Sequence, residues 1–98
     1  MKIEDAFSSK PRVKILKILF QFGQLNVSEI AHKLGVNYET ALGHLKILER
    51  ENILQHKMFG RTRLFRFDEN SPKTWAVQKL LETWENTNER NLENEKRE

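Results

Sequence analysis

The sequence predicts a mainly α domain with a small β-hairpin: a three-helix core, the hairpin, and a C-terminal helix. Three observations carry that prediction. Apolar residues recur at helical spacing on both sides of Gly35: Ile30, Ala31 and Leu34 before it, Ala41, Leu45 and Leu48 after it. The period then drops to about two around Gly60, where Phe65 and Phe67 point one way and Leu64 and Arg66 the other. Ser71-Pro72 opens a last helical run. Ninety-eight residues make one domain with one core.

The elements follow in order. Residues 1–8 form a short, partly helical leader, with Ile3, Ala6 and Phe7 available for burial. Ser9 is a good N-cap, and Pro11 is tolerated in a first turn. The helix they start carries Val13, Ile15, Leu16, Ile18, Leu19, Phe20 and Phe22 on more than one stripe. It therefore reads as the central helix, facing the core and also the leader or a partner. Gly23 ends it. Leu25-Asn26-Val27 can pair as a short strand at the hairpin base, with Asn26 or Ser28 capping the next helix.

That helix ends at Gly35, where the chain must reverse through positive φ. Asn37 caps the helix after it. A helix, a sharp turn and a second helix make a helix-turn-helix, whose second helix fits a DNA major groove. An ordinary helical hairpin packed in a core shows the same apolar pattern, so the next segment decides. Asn52 stops the second helix, and two strands of about six residues follow around Gly60. Helix-turn-helix and basic hairpin together form a winged helix-turn-helix. The last helix takes Ser71 as cap and Pro72 in its first position, then runs through Trp75, Val77, Leu80, Leu81 and Trp84. Val77, Leu81, Trp84 and Leu92 approximate an apolar stripe. From about Asn86 the chain turns polar, with four asparagines.

In order and spacing these segments resemble the ArsR-like group of bacterial and archaeal winged helix-turn-helix regulators. Ser9-Lys10-Pro11-Arg12-Val13-Lys14-Ile15-Leu16 resembles that group's opening helix. The segment from Val36 to Leu48, with its His44-Leu45-Lys46 step, resembles its recognition helix. Gly60-Arg61-Thr62-Arg63-Leu64-Phe65-Arg66-Phe67 resembles its wing. The likeness covers about residues 9–68. It implies a regulator that binds double-stranded DNA, and such regulators commonly pair through terminal helices.

Charge placement agrees. The net charge is +3, yet residues 10–66 hold eleven Lys or Arg against four Glu, while the segment from Ser71 onward has five basic and six acidic residues. A basic module beside a near-neutral tail is the distribution of a phosphate-backbone binder. There is no cysteine, which excludes disulfides and thiolate metal sites. No apolar run approaches the roughly 20 residues that span a bilayer, and the start lacks the apolar core of a signal peptide. A cytoplasmic protein without membrane contact is expected.

The expected contacts divide by element. In the recognition helix they are Asn37, Tyr38, Glu39, Thr40, Gly43, His44 and Lys46. Thr40 can bond a base, and its methyl can touch a thymine methyl; Tyr38 can donate to phosphate. Glu39 can accept from a cytosine amino group or favour the helix N-terminus. Gly43 leaves a gap on the helix face and costs about 1 kcal/mol relative to Ala. In the wing they are Lys57, Arg61, Thr62 and Arg63, with the two arginines suited to an adjacent minor groove. Arg12, Lys33 and Arg50 are expected on the DNA backbone. Lys57 and Arg66 can flank it, although Arg66 is the wing charge best explained as keeping a hairpin edge soluble. Phe7, Trp75, Val77, Leu80, Leu81 and Trp84 are expected at a dimer interface.

His32, His44 and His56 lie in different elements without metal-ligand spacing, so no metal, cofactor or small-molecule ligand is expected. No Ser-His-Asp set, phosphate-binding glycine loop or carboxylate pair points to an enzyme. The function expected is a sequence-specific regulator acting as a homodimer, with promoter occlusion the simplest mechanism. The alternatives are an architectural, weakly specific DNA-binding protein and a winged-helix module for protein interaction. Residues 1–70 are expected to bind DNA, residues 71–90 to form the C-terminal dimerisation helix, and residues 91–98 a disordered tail.

Overall fold

A short helix α1 (Ile3–Phe7) precedes Ser9, whose hydroxyl accepts the Arg12 backbone N–H at 3.3 Å and starts helix α2 (Lys10–Phe22). The computed structural model describes the backbone of residues 1–97 and the side chains of residues 1–88. Gly23 ends α2 with φ 84°, its N–H donating to the Leu19 carbonyl at 2.8 Å. Strand β1 (Gln24–Asn26) leads directly into helix α3 (Val27–Leu34). Asn26, not Ser28, is the cap. Its side-chain oxygen accepts the Glu29 N–H at 2.8 Å, and the Glu29 carboxylate accepts the Asn26 N–H at 3.0 Å, a reciprocal capping box.

Two helices close by the same device. Gly35, at φ 74°, lets its N–H reach the His32 carbonyl and the Val36 N–H reach the Ala31 carbonyl at 3.1 Å. Helix α4 (Tyr38–Arg50) ends likewise on Asn52, at φ 62°. There the Asn52 N–H donates to Glu49 and the Ile53 N–H to Leu48, at 3.0 and 3.1 Å. Asparagine is among the few residues that tolerate that conformation. The helix stop expected at Asn52 thus has a specific geometry.

Strands β2 (Leu54–Phe59) and β3 (Thr62–Phe67) form the hairpin, and β1 adds to its other side, giving an antiparallel sheet of order β1-β3-β2. Leu25 lies opposite Phe65, so the expected strand does pair at the hairpin base, but it runs Gln24–Asn26 and Val27 starts α3 instead, because Asn26 caps that helix. Phe65 and Phe67 are buried, and Leu64 and Arg66 occupy the other face. One expectation changes. Arg66 is not an edge charge, because β3 is the central strand and Arg66 lies between Gln24 and Gln55. Its Nε is buried without a hydrogen-bond partner among the described residues.

The core sits between α2, α3, α4 and the sheet, where Ile15, Leu16, Leu19, Ile30, Leu45, Leu48 and Phe65 are buried. Each such side chain contributes about 1.5–3 kcal/mol by leaving water. Helix α5 (Pro72–Arg97) is tied on by Thr74, whose buried hydroxyl donates to the Ile53 carbonyl at 2.9 Å. Lys73 also reaches Glu51 at 3.2 Å. Val77 enters the core, and Leu81 packs against it.

The leader behaves differently from expectation. Ile3 and Phe7 remain exposed and Ala6 is half-buried, because five helical residues are too few to fold a face over the core. Leu92 and the tail expected at residues 91–98 lie outside the residues described in full. Among the described residues, no helix is long and apolar enough to cross a membrane.

Candidate nucleic-acid interface

Asn37 builds the start of the exposed helix α4. Its side-chain oxygen accepts the Thr40 N–H at 2.8 Å, which satisfies one of the free donors of the first turn. Ala41, Leu45 and Leu48 anchor the inner side of α4 in the core. The opposite side therefore presents Glu39, Gly43, Lys46 and Arg50 to solvent, with Thr40 at its margin, while Tyr38 is exposed at the helix start on the side of Leu45. A Cβ at Gly43 would meet open space, so the glycine relieves no crowding within the chain. Arg50 lies about 18 Å along the helix from Tyr38, at the far end from the cap.

His44 stands apart from that exposed set. It is half-buried, and its Nδ1 has no hydrogen-bond partner among the described residues. Burial, and then the nearby Arg12 guanidinium, push its pKa below the ordinary value. Arg12 is itself half-buried and gives one guanidinium N–H to the Asp5 carbonyl at 2.9 Å. Lys33 is exposed, with its ammonium 4.0 Å above the Phe22 ring. Both cations are thus partly engaged within the chain.

The wing turns through Gly60 and Arg61, with φ 60° at Gly60 and a negative φ at Arg61. That sign pattern belongs to a type II′ hairpin turn, which matches the twist of the strands. Lys57, Arg61 and Thr62 are exposed, and Arg63 is half-buried. A cleft of about 140 Å³ joins the wing to the helices, lined by Tyr38, Arg61, Thr62 and Arg63 and also by Asn26, Val27 and Ser28. The fold thus brings the wing arginines to the start of α4. It adds the N-terminus of α3, a place whose free N–H groups and dipole favour anions. By sequence, Asn26 reads as a cap and a member of the short strand, and Ser28 as a cap, neither as part of this cleft. The signal for more was the β1–β3 pairing, which sets Asn26 opposite Leu64.

A second surface lies between α1 and α5. An open groove of about 240 Å³ is lined mainly by apolar residues, including Ile3, Phe7, Ala76 and Leu80. Leu80 and Trp84 are 50% and 63% exposed and stand four residues apart on one helix side. Val77, expected with them, is only 6% exposed because it fills the chain's own core, so it offers a second copy little surface. Leu81 is half-buried for the same reason. Trp75 is exposed but lies about 140° around the helix from Leu80, and its indole N–H donates to the Glu69 carbonyl. The six residues do not share one face.

His32, His44 and His56 fall on α3, α4 and β2. Among the described residues, no group of three or more His, Asp or Glu gathers to hold a metal.

Residues 9–56 match the family described as bacterial regulatory protein, arsR family. The uncharacterized HTH-type transcriptional regulator B-115 of Sulfolobus spindle-shape virus 1 is 32% identical over 75 residues, spanning 76% of this chain. The match spans 65% of that relative, just under two thirds of its length. Among solved structures, the homodimeric winged helix-turn-helix DNA-binding domain Mb0332 of Mycobacterium bovis superposes with a TM-score of 0.69 at 23% identity, covering 84% of this chain and 73% of that one. The transcriptional repressor PagR of Bacillus anthracis gives 0.64 at 27% identity, covering 79% and 85%.

Proposed function

The chain belongs to the ArsR-like winged helix-turn-helix regulators, and from that premise we propose a sequence-specific, double-stranded DNA-binding transcriptional regulator that acts in the cytoplasm as a homodimer. Family and fold are those of transcription regulators and not of enzymes. The observation that carries the reading is the cleft shared by Tyr38, Arg61, Thr62 and Arg63, which lets one duplex touch the helix start and the wing together.

In this reading α4 enters the major groove, and its first turn reads base edges through Tyr38, Glu39 and Thr40. Asn37 holds that turn in place, and Gly43 lets the backbone come close. Lys46 meets phosphate on one side; Lys57 and the wing arginines follow the backbone into the adjacent minor groove. Arg50, Lys33, Arg12 and His44 serve the flanks. Residues 1–70 carry this contact, while Leu80 and Trp84 on α5, with Phe7 on α1, pair with a second copy. Two-fold symmetry would match a palindromic site. Pairing is supported by the homodimeric M. bovis domain, and repression by promoter occupancy is supported by PagR, a repressor.

Fluorescence anisotropy tests this on a duplex from the protein's own upstream region against a scrambled duplex, across a salt series. Tighter binding to the native duplex that survives moderate salt is expected. Equal binding that collapses with salt replaces the regulator by an architectural protein. No binding at low salt replaces it by a protein-interaction module.

A further inference from the structure

The wing tip carries two apolar side chains that the fold does not use. Met58 is 54% exposed and Phe59 61% exposed. They are the last two residues before the turn, and the register sets Met58 opposite Arg63 and Phe59 opposite Thr62. Strand alternation therefore puts Phe59 on the outer face and Met58 on the face that leads to the core. The last pair with a core member, half-buried His56 with buried Phe65, lies about 6.6 Å further back along the hairpin from Met58. Neither tip residue is among those packed against the core.

Hairpin tips that stay in water are ordinarily polar, since an exposed apolar strand end invites aggregation. Here the apolar pair is surrounded by cations. Lys57, Arg61 and Arg63 flank it, and residues 52–67 contain no Asp or Glu. The same tip opens onto the cleft shared with Tyr38 at the start of α4. Its partner must then be polyanionic, must present apolar surface within its charged rim, and must reach α4 at the same time. A duplex minor groove meets all three conditions, with phosphates outside and sugar and base faces within.

We propose that Phe59 is a wedge, which enters the minor groove beside Arg61 and opens a base step. This rests on the DNA-binding reading above and adds deformation of the duplex to it. Wedges of this kind kink DNA toward the major groove. Pyrimidine–purine steps, which unstack easily, are then favoured under the wing, so Phe59 adds specificity at bases that α4 never touches.

The test uses the full chain and a duplex of about 40 base pairs, short against the roughly 150-base-pair persistence length. The duplex is recovered by selection with the wild-type chain from random DNA and carries a donor and an acceptor dye at its ends. Wild type is expected to raise energy transfer to match a bend of about 20–90°. F59A is expected to bind within about tenfold of wild type, because the phosphate contacts remain, yet to leave the duplex straight. F59W is expected to restore the bend. Phe59 touches no core residue, so an unchanged melting curve confirms that F59A folds. Equal bending by F59A overturns the wedge, as does a wild-type complex without a bend; both leave the regulator reading intact. Failure of wild type to bind any duplex removes both. Loss of self-association, or of binding to anionic phospholipid vesicles, in F59A with the bend unchanged reassigns the tip and overturns the proposal.

Discussion

His56 on the wing strand β2 is hydrogen-bonded through Nδ1 to the Glu49 carboxylate on α4. The imidazole also lies 5.2 Å from the Phe65 ring, tilted by 39°. The bond closes the corner between the recognition helix and the wing, outside the backbone turn at Asn52. It therefore ties the strand that leads to Arg61 and Arg63 to the helix that starts at Tyr38. Glu49→Gln is expected to lower stability by about 0.5–1.5 kcal/mol. Its effect on DNA affinity should exceed that loss, because a loosened wing no longer holds its cations over the groove. Thermal melts and anisotropy on one duplex compare the two. An affinity unchanged after a lowered melting point would separate the corner from DNA binding.

The wing arginines and Thr40 are expected to fail in different ways. Arg61→Ala with Arg63→Ala removes two cations that carry no base code in themselves. Affinity should fall for every duplex, and the slope of log affinity against log salt should flatten by about two. Thr40→Ala should leave the slope alone and shift the ranking of duplexes, since the proposed reading sets the threonine against base edges. Salt titrations of both variants on native and scrambled duplexes make the comparison. A double variant that binds like the parent places the wing away from DNA.

Much of this fold is legible in the sequence because local chemistry specifies it. Ser9, Asn26 and Asn37 cap helices, Gly35 and Asn52 end them, and Gly60 turns the hairpin; each acts within a few residues of itself. Long-range pairing was less legible. Arg66 reads as an edge charge until β1 takes the far side of β3 and makes that strand central. Val77 fits an outward stripe by spacing, yet α5 turns it into the core once Thr74 is fixed to the Ile53 carbonyl. Lys33 and Arg12 read as free cations because neither the Phe22 ring nor the Asp5 carbonyl is visible from spacing. The cleft at Tyr38 combines three segments far apart in sequence, so its members were known singly and their meeting was not.

His44 gives the fold a pH dependence of defined sign. Burial and the Arg12 charge lower its pKa in the native state below the ordinary value of about 6.5. The unfolded chain then takes up this proton at a higher pH than the folded one. The contribution is fully present above the ordinary value and is lost as pH falls through it toward the lower native value. His44→Gln removes the proton, so its stability relative to wild type should improve between about pH 7.5 and about pH 5.5. Urea unfolding of both proteins at the two pH values measures the change. A constant difference would mean that His44 titrates alike in both states.

Dimerisation is expected to depend on one side of α5 and not on all of its apolar residues. Leu80 and Trp84 lie together and exposed beside the groove under α1, while Val77 is already buried and Trp75 is turned away. Leu80→Glu puts a charge where a second copy would pack, and should give a folded monomer by sedimentation. Trp84→Ala should weaken association by about 2 kcal/mol, roughly thirtyfold, if the indole anchors the interface. Trp75→Ala should leave the association unchanged. DNA binding adds a second readout. Two recognition helices joined at the correct spacing address half-sites about 34–36 Å apart. The Leu80→Glu monomer should therefore bind a single half-site like wild type and lose the advantage of a second one. A variant that stays dimeric would move the pairing surface off this side of α5.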